Sequence, residues 1–95
     1  MDDVTVEPSG NVLLVDLDFD PSEAIILQMR AKLMNDLREY IATNGLTQVE
    51  AAEQLGVAQS RVSDLVRGKW DKFSLEMLIT FEARIGRHVT LELAA

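Results

Sequence analysis

The side chains in this sequence with the most evident chemistry are Gln59, Ser60, Arg61, Ser63, Asp64 and Arg67. They fall on one side of a short helical pattern whose other side is Val62, Leu65 and Val66. An amide and a guanidinium are the groups that make paired hydrogen bonds to base edges. Gln59 suits adenine N7 and N6, and Arg61 suits guanine or a phosphate. Ser60 and Ser63 add single hydroxyls. Asp64 would repel phosphates, so it either accepts from a cytosine amine or pairs with Arg67 or Arg61, the salt bridge being the favoured reading. Arg67, Lys69 and Lys72 follow as phosphate candidates. From Arg61 to Lys72 there are four bases against two acids. Upstream, Thr47 and Gln48 open the preceding helix, whose first free N–H groups favour an anion. Catalytic chemistry is sparse. The chain has one histidine, His88, and no cysteine. It contains no G-x-S-x-G, phosphate-cradling glycine loop or H-E-x-x-H pattern. Asp16, Asp18 and Asp20 alternate but lack the glycine and terminal glutamate of a calcium loop. The expectation is a protein that is not an enzyme and needs no metal or cofactor.

These side chains need two helices to hold them. Thr47 to Gly68 supplies both, with a turn at Gly56. Ala51, Ala52 and Leu55 form the inner face of the first, and Val62, Leu65 and Val66 that of the second. Ala52 is small enough to let two steeply crossing helices close. Gly56 makes the reversal cheap because it tolerates a positive φ, and Val57 plugs the gap beneath. Thr47 with Glu50 forms a capping box. The second helix starts at Ala58 or Gln59 with no capping side chain, a place for Ser60 or a phosphate to fill.

Further elements surround this pair. Asp20-Pro21-Ser22-Glu23 reads as a helix start with Asp20 as cap and Glu23 closing a box. A long helix follows to about Asn44 and stops at Gly45. Its stripe is Ile26, Met29, Leu33, Leu37 and Ile41, bordered by Met34 and Tyr40. Ile25, Ile26 and Leu27 are expected to project toward a second subunit. Gly68 ends the second helix of the pair, and Trp70 either lies along a DNA backbone or covers the core edge, the role a lone tryptophan favours. Ser74 caps a last helix to about Ile85, with Leu75, Leu78, Ile79 and Ile85 inward and Met77 and Phe81 partly buried or facing a partner. His88 to Leu93 alternates, with Val89, Leu91 and Leu93 on one face, which predicts a strand over 88–93. A lone strand needs a mate, either Val12 to Phe19 of the same chain or the same strand of a second chain. Residues 12–19 alternate from Val15 onward and read as a strand, with a single helical turn capped by Asn11 as the competitor.

Ninety-five residues make one small domain, for which oligomerisation is a common supplement. No run is long enough to span a bilayer, and no basic-then-apolar leader opens the acidic N-terminus, so the cytoplasm is the expected compartment. The net charge of −7 argues at first against nucleic acid. Its distribution reverses that argument. Seven acids and no base precede Arg30, whereas nine acids and nine bases follow from there. The chain thus divides into an acidic N-terminal arm, residues 1–20, and a domain, residues 21–95, that is neutral from Arg30 onward.

The residues L-T-Q-x-x-A-A-x-x-L-G-V-x-Q-x-x-V-S-x-L-x-R-G-K at Leu46 to Lys69, followed by F-S-L-E at Phe73 to Glu76, resemble the Cro/repressor-type (XRE) helix-turn-helix. With G-N-V at Gly10 to Val12 and G-R-H-V-T-L-E at Gly86 to Glu92, the chain is similar to the antitoxins of the HigA kind. The resemblance covers most of the chain and is weakest over the first nine residues. It implies a mainly α bundle of four to five helices with a short N-terminal and a C-terminal β-strand. It implies an autorepressor that binds a palindromic operator in double-stranded DNA as a homodimer. Gln59, Ser60, Arg61 and Ser63 would then meet bases, and Thr47, Gln48, Arg67, Lys69 and Lys72 phosphates. It also implies a basic RelE/HigB-like ribonuclease toxin as partner. The acidic arm suits such a partner through Leu14, Asp16, Leu17, Asp18 and Phe19. Val89, Leu91 and Leu93 would serve dimerisation. The competing readings are a stand-alone XRE regulator without a toxin, and an interaction module that uses this fold without DNA.

Overall fold

The computed structural model describes residues 20–94. Helix α1 spans Pro21–Thr43, α2 Gln48–Leu55, α3 Gln59–Val66 and α4 Leu75–Arg84, with a single 3-10 turn at Trp70–Lys72 between α3 and α4. The readings of residues 12–19 as a strand and as a partner-binding arm lie outside the described residues.

The core is one cluster drawn from every helix. Met34, Leu37 and Ile41 come from α1, Ala51, Ala52 and Leu55 from α2, and Val62 and Leu65 from α3. Phe73, Leu78 and Phe81 complete it, the two rings meeting edge to face with centroids 6.3 Å apart. α1 packs mainly on α4, and α2 mainly on α3. Removing a buried aliphatic here, such as Leu65, leaves a cavity in a small core, a class of change that costs about 2–5 kcal/mol.

Local signals explain most helix ends. Thr47 Oγ1 accepts from the Glu50 N–H at 3.1 Å, and Glu50 Oε1 accepts from the Thr47 N–H at 2.8 Å, so the capping box is complete. Ser74 Oγ accepts from the Met77 N–H at 3.1 Å. The start of α1 differs from expectation. Asp20 holds the N-cap position and Pro21 the first turn, but the Asp20 carboxylate accepts from the Ser22 hydroxyl instead of a backbone N–H. No box with Glu23 forms.

Four packing expectations are corrected. α1 has 23 residues, about 35 Å at 1.5 Å per residue, and α4 has 10, about 15 Å. α4 therefore covers only part of α1, and Met29 and Ile26, placed in the stripe, are exposed. Ile25 and Ile26 project as the other reading of this end expected, whereas Leu27 is half-buried. Val66 closes α3 and is exposed rather than inward. On α4 the inward face is Leu78, Phe81 and Glu82, so Ile79 turns outward. Trp70 is 46% exposed on the 3-10 turn, where it borders a groove along α1 instead of sealing the core.

The C-terminal strand is also corrected. Residues 87–94 form no regular element, and the described residues contain no strand. Leu91 and Leu93 are 77% and 90% exposed. Alternation supplies a face but not the hydrogen-bonding neighbour that defines a strand, and no described segment pairs with this one.

Candidate nucleic-acid interface

α3 is held from below by Val62 and Leu65, both 1% exposed, and this leaves Gln59, Ser60, Arg67 and Lys69 in solvent. Ser63 and Asp64 lie half-buried beside them. Ala58 occupies the N-cap with extended backbone and no side-chain cap, as its residue type requires. Its carbonyl accepts from the Arg61 N–H at 3.0 Å, so the first N–H groups of α3 face outward without a side-chain acceptor. Helix start, amide and hydroxyl thus converge on one exposed end.

Arg61 is less free than its sequence position indicates. Its guanidinium lies 5.8 Å from the Phe73 ring centroid and 3.8 Å from Asp64 Oδ2, and Nη1 donates to the Lys72 carbonyl at 3.5 Å. Asp64 also draws Lys69 Nζ to 3.9 Å. The expected salt bridge of Asp64 therefore forms with Arg61, and Lys69 rather than Arg67 is the second cation. These pairs are partly solvated and worth a fraction of a kcal/mol, so they position the side chains more than they stabilise the fold.

At the start of α2, Gln48 is half-buried in the first turn and Thr47 is exposed. The Thr47 hydroxyl oxygen is occupied by its cap, which leaves its proton available to a phosphate. Lys72 is exposed at the end of the 3-10 turn. Of the remaining site candidates, Val89, Leu91 and Leu93 lie exposed on the tail after α4, and Leu14, Asp16, Leu17, Asp18 and Phe19 fall outside the described residues.

Sequence reasoning did not single out Arg84. Its Nη1 donates to the Leu55 carbonyl at 2.6 Å, satisfying one of the free carbonyls at the end of α2. Gly56 has φ 73° and closes α2 in the left-handed region. A Cβ there would come within 2.9 Å of Arg84 Nη1. The glycine thus serves twice: it allows the reversal and it leaves room for the arginine that locks it. A single arginine at the end of an unrelated helix carries no local pattern from which this could be read.

Two short helices joined by a left-handed glycine turn, the second with an apolar inner face and a polar outer one, define a helix-turn-helix module. Such a module places its second helix where a major groove can receive it, and it is the kind of domain that DNA-binding regulators use. A family model described as a helix-turn-helix domain matches residues 15–94, and the chain belongs to that family. No curated protein matches the chain. Among the described residues no helix is long and apolar enough to cross a membrane.

Proposed function

We propose that this chain is a sequence-specific, homodimeric DNA-binding autorepressor of the XRE type. It is also the antitoxin of a type II toxin–antitoxin pair, and it acts by binding rather than by catalysis. The observation that carries the DNA reading is the exposed start of α3, where Gln59, Ser60 and uncapped N–H groups sit above a rigid buried face. Gln59 reads adenine, Ser60 and Ser63 make single contacts, and Arg61 reaches a base only by leaving Asp64. Thr47, Gln48, Arg67, Lys69 and Lys72 hold phosphates and set the register. A gel shift at low salt with the chain's own promoter gives a specific band, and Gln59→Ala changes preference at particular bases while the phosphate contacts persist. Absence of a specific band rejects the DNA reading.

The antitoxin reading is supported by the acid excess ahead of Arg30 and by the resemblance of Gly10 to Val12 and Gly86 to Glu92 to HigA-type antitoxins. The partner is a small basic ribonuclease of the RelE/HigB kind, drawn to Leu14, Asp16, Leu17, Asp18 and Phe19. Deleting residues 1–19 then abolishes toxin binding and spares DNA binding. Unchanged toxin affinity would remove the arm from the interface. An adjacent reading frame that encodes no small basic protein favours the stand-alone regulator.

A further inference from the structure

We propose that Arg38, on α1, is a DNA-backbone contact that extends the phosphate-binding surface beyond α2, α3 and the loop after α3. The proposal rests on the DNA reading and deepens it. The guanidinium of Arg38 lies over Gly68, with Nη1 3.0 Å from the position a Cβ of Gly68 would take. Gly68 has φ 76° and follows the last residue of α3 by two positions. A bend without a side chain thus lets an arginine from a helix 30 residues earlier stand beside the exit loop. Arg38 Nη2 donates to Asn35 Oδ1, which orients the planar group and leaves other N–H donors for a ligand. Among the described residues no carboxylate pairs with Arg38.

The charge distribution of the loop makes this arginine matter. Asp64 lies within 4 Å of both Arg61 and Lys69, so two of the cations nearest the groove share their charge with one acid. Among the described residues Arg38 meets no such competitor. Trp70, on the 3-10 turn, borders the same groove of about 160 Å³ as Asn35, Arg38 and Gly68. A planar cation next to an exposed indole fits a sugar–phosphate backbone, the guanidinium on the phosphate and the ring against the sugar. A purely structural alternative exists, in which Arg38 only offsets the negative end of the α3 dipole. The two roles differ in what salt does to binding.

The test uses the full chain and a fluorescein-labelled duplex of arbitrary sequence, because binding without an operator is carried almost wholly by backbone charge. Affinity is measured across a potassium chloride series for the parent, Arg38→Gln, Arg38→Lys and, as a control on the opposite flank of α1, Lys32→Gln. The expected result is a log–log salt slope shallower by about 0.9 for Arg38→Gln and a several-fold weaker affinity at low salt. Arg38→Lys and Lys32→Gln keep the parent slope, and parent Trp70 fluorescence changes on duplex addition. A parent that binds with a slope unaffected by Arg38→Gln overturns the proposal while leaving the DNA reading intact, even if the melting temperature falls. A parent that binds no duplex overturns both.

Discussion

Glu82 is the residue whose chemistry is most out of place. It is 1% exposed in the interface of α4 with α1, and neither carboxylate oxygen has a hydrogen-bond donor near it. Its neighbour is Asp36, itself ion-paired to Arg87, whose guanidinium lies 5.5 Å from the Tyr40 ring centroid. Burial raises the Glu82 pKa from 4.5 to about 7, and the Asp36 carboxylate adds to the rise, first as an acceptor for the Glu82 proton and then as a like charge, while Arg87 opposes it. The protonated acid is thus the species the fold prefers, because its O–H can donate to Asp36. Below pH 4.5 the proton is present in folded and unfolded chains alike. From there to about pH 7 only the folded chain keeps it, so stability falls as pH rises through that window and the loss is complete above it. The loss is on the order of 3 kcal/mol. Thermal melts from pH 5 to 8 show a declining midpoint for the parent. Glu82→Gln, neutral throughout and similar in shape, shows a flatter profile and exceeds the parent at pH 8. A parent profile that rises over the same range would mean that Glu82 is ionised in the folded chain.

At the scale of elements, the pair α2–α3 was legible from local chemistry and the rest only in part. Thr47 with Glu50, Gly56 and the inner faces of both helices, Val66 excepted, are short-range signals that appear where the sequence places them. The failures share one cause. Ile26, Met29 and Ile79 repeat at helical spacing, but periodicity says which side is apolar and not whether another element reaches it. The alternation of His88 to Leu93 likewise offers a face without a mate. At the interface, Gln59 and Ser60 were readable as exposed because their own helix sets their direction. The diversion of Arg61 onto Phe73 and Asp64, and the lock of Arg84 on Leu55, depend on chain far away in sequence. That lock can be weighed by comparing two glycines. Gly45 and Gly56 have φ of 61° and 73°, and a Cβ at Gly45 meets nothing within 4 Å. Gly45→Ala therefore costs only the left-handed strain, about 1–2 kcal/mol. Gly56→Ala adds displacement of Arg84 from the Leu55 carbonyl, a further 0.5–1.5 kcal/mol or so. Denaturant midpoints of the two variants give the difference. Equal losses would mean that the arginine shifts aside and keeps its bond.

At the scale of the whole molecule, several of the outward apolar residues fall together. Met29 and Leu33 of α1, Leu75 and Ile79 of α4, and Val89 and Leu91 of the tail line one groove of about 280 Å³. Ile25 and Ile26, nearer the start of α1, are exposed as well, Ile26 beside Trp70. The groove residues account for the misplaced Met29 of the α1 stripe, the outward turn of Ile79 and the alternating tail, so one covering partner resolves all three. A second copy of the chain fits the proposed function, since a palindromic site asks for two recognition helices about 34 Å apart. It also answers the need of a small domain to bury more surface than it can alone. The tail then gains a neighbour, and the alternation that forms no strand in the single chain has its use in the assembly. Sedimentation of the parent is expected to give a dimer, and Met29→Ser combined with Ile79→Ser to give a monomer that keeps its helical circular dichroism. That monomer binds a single half-site as the parent subunit does but loses the gain in affinity that joining two half-sites provides. A double variant that stays dimeric would place the interface elsewhere and leave the groove to a different protein.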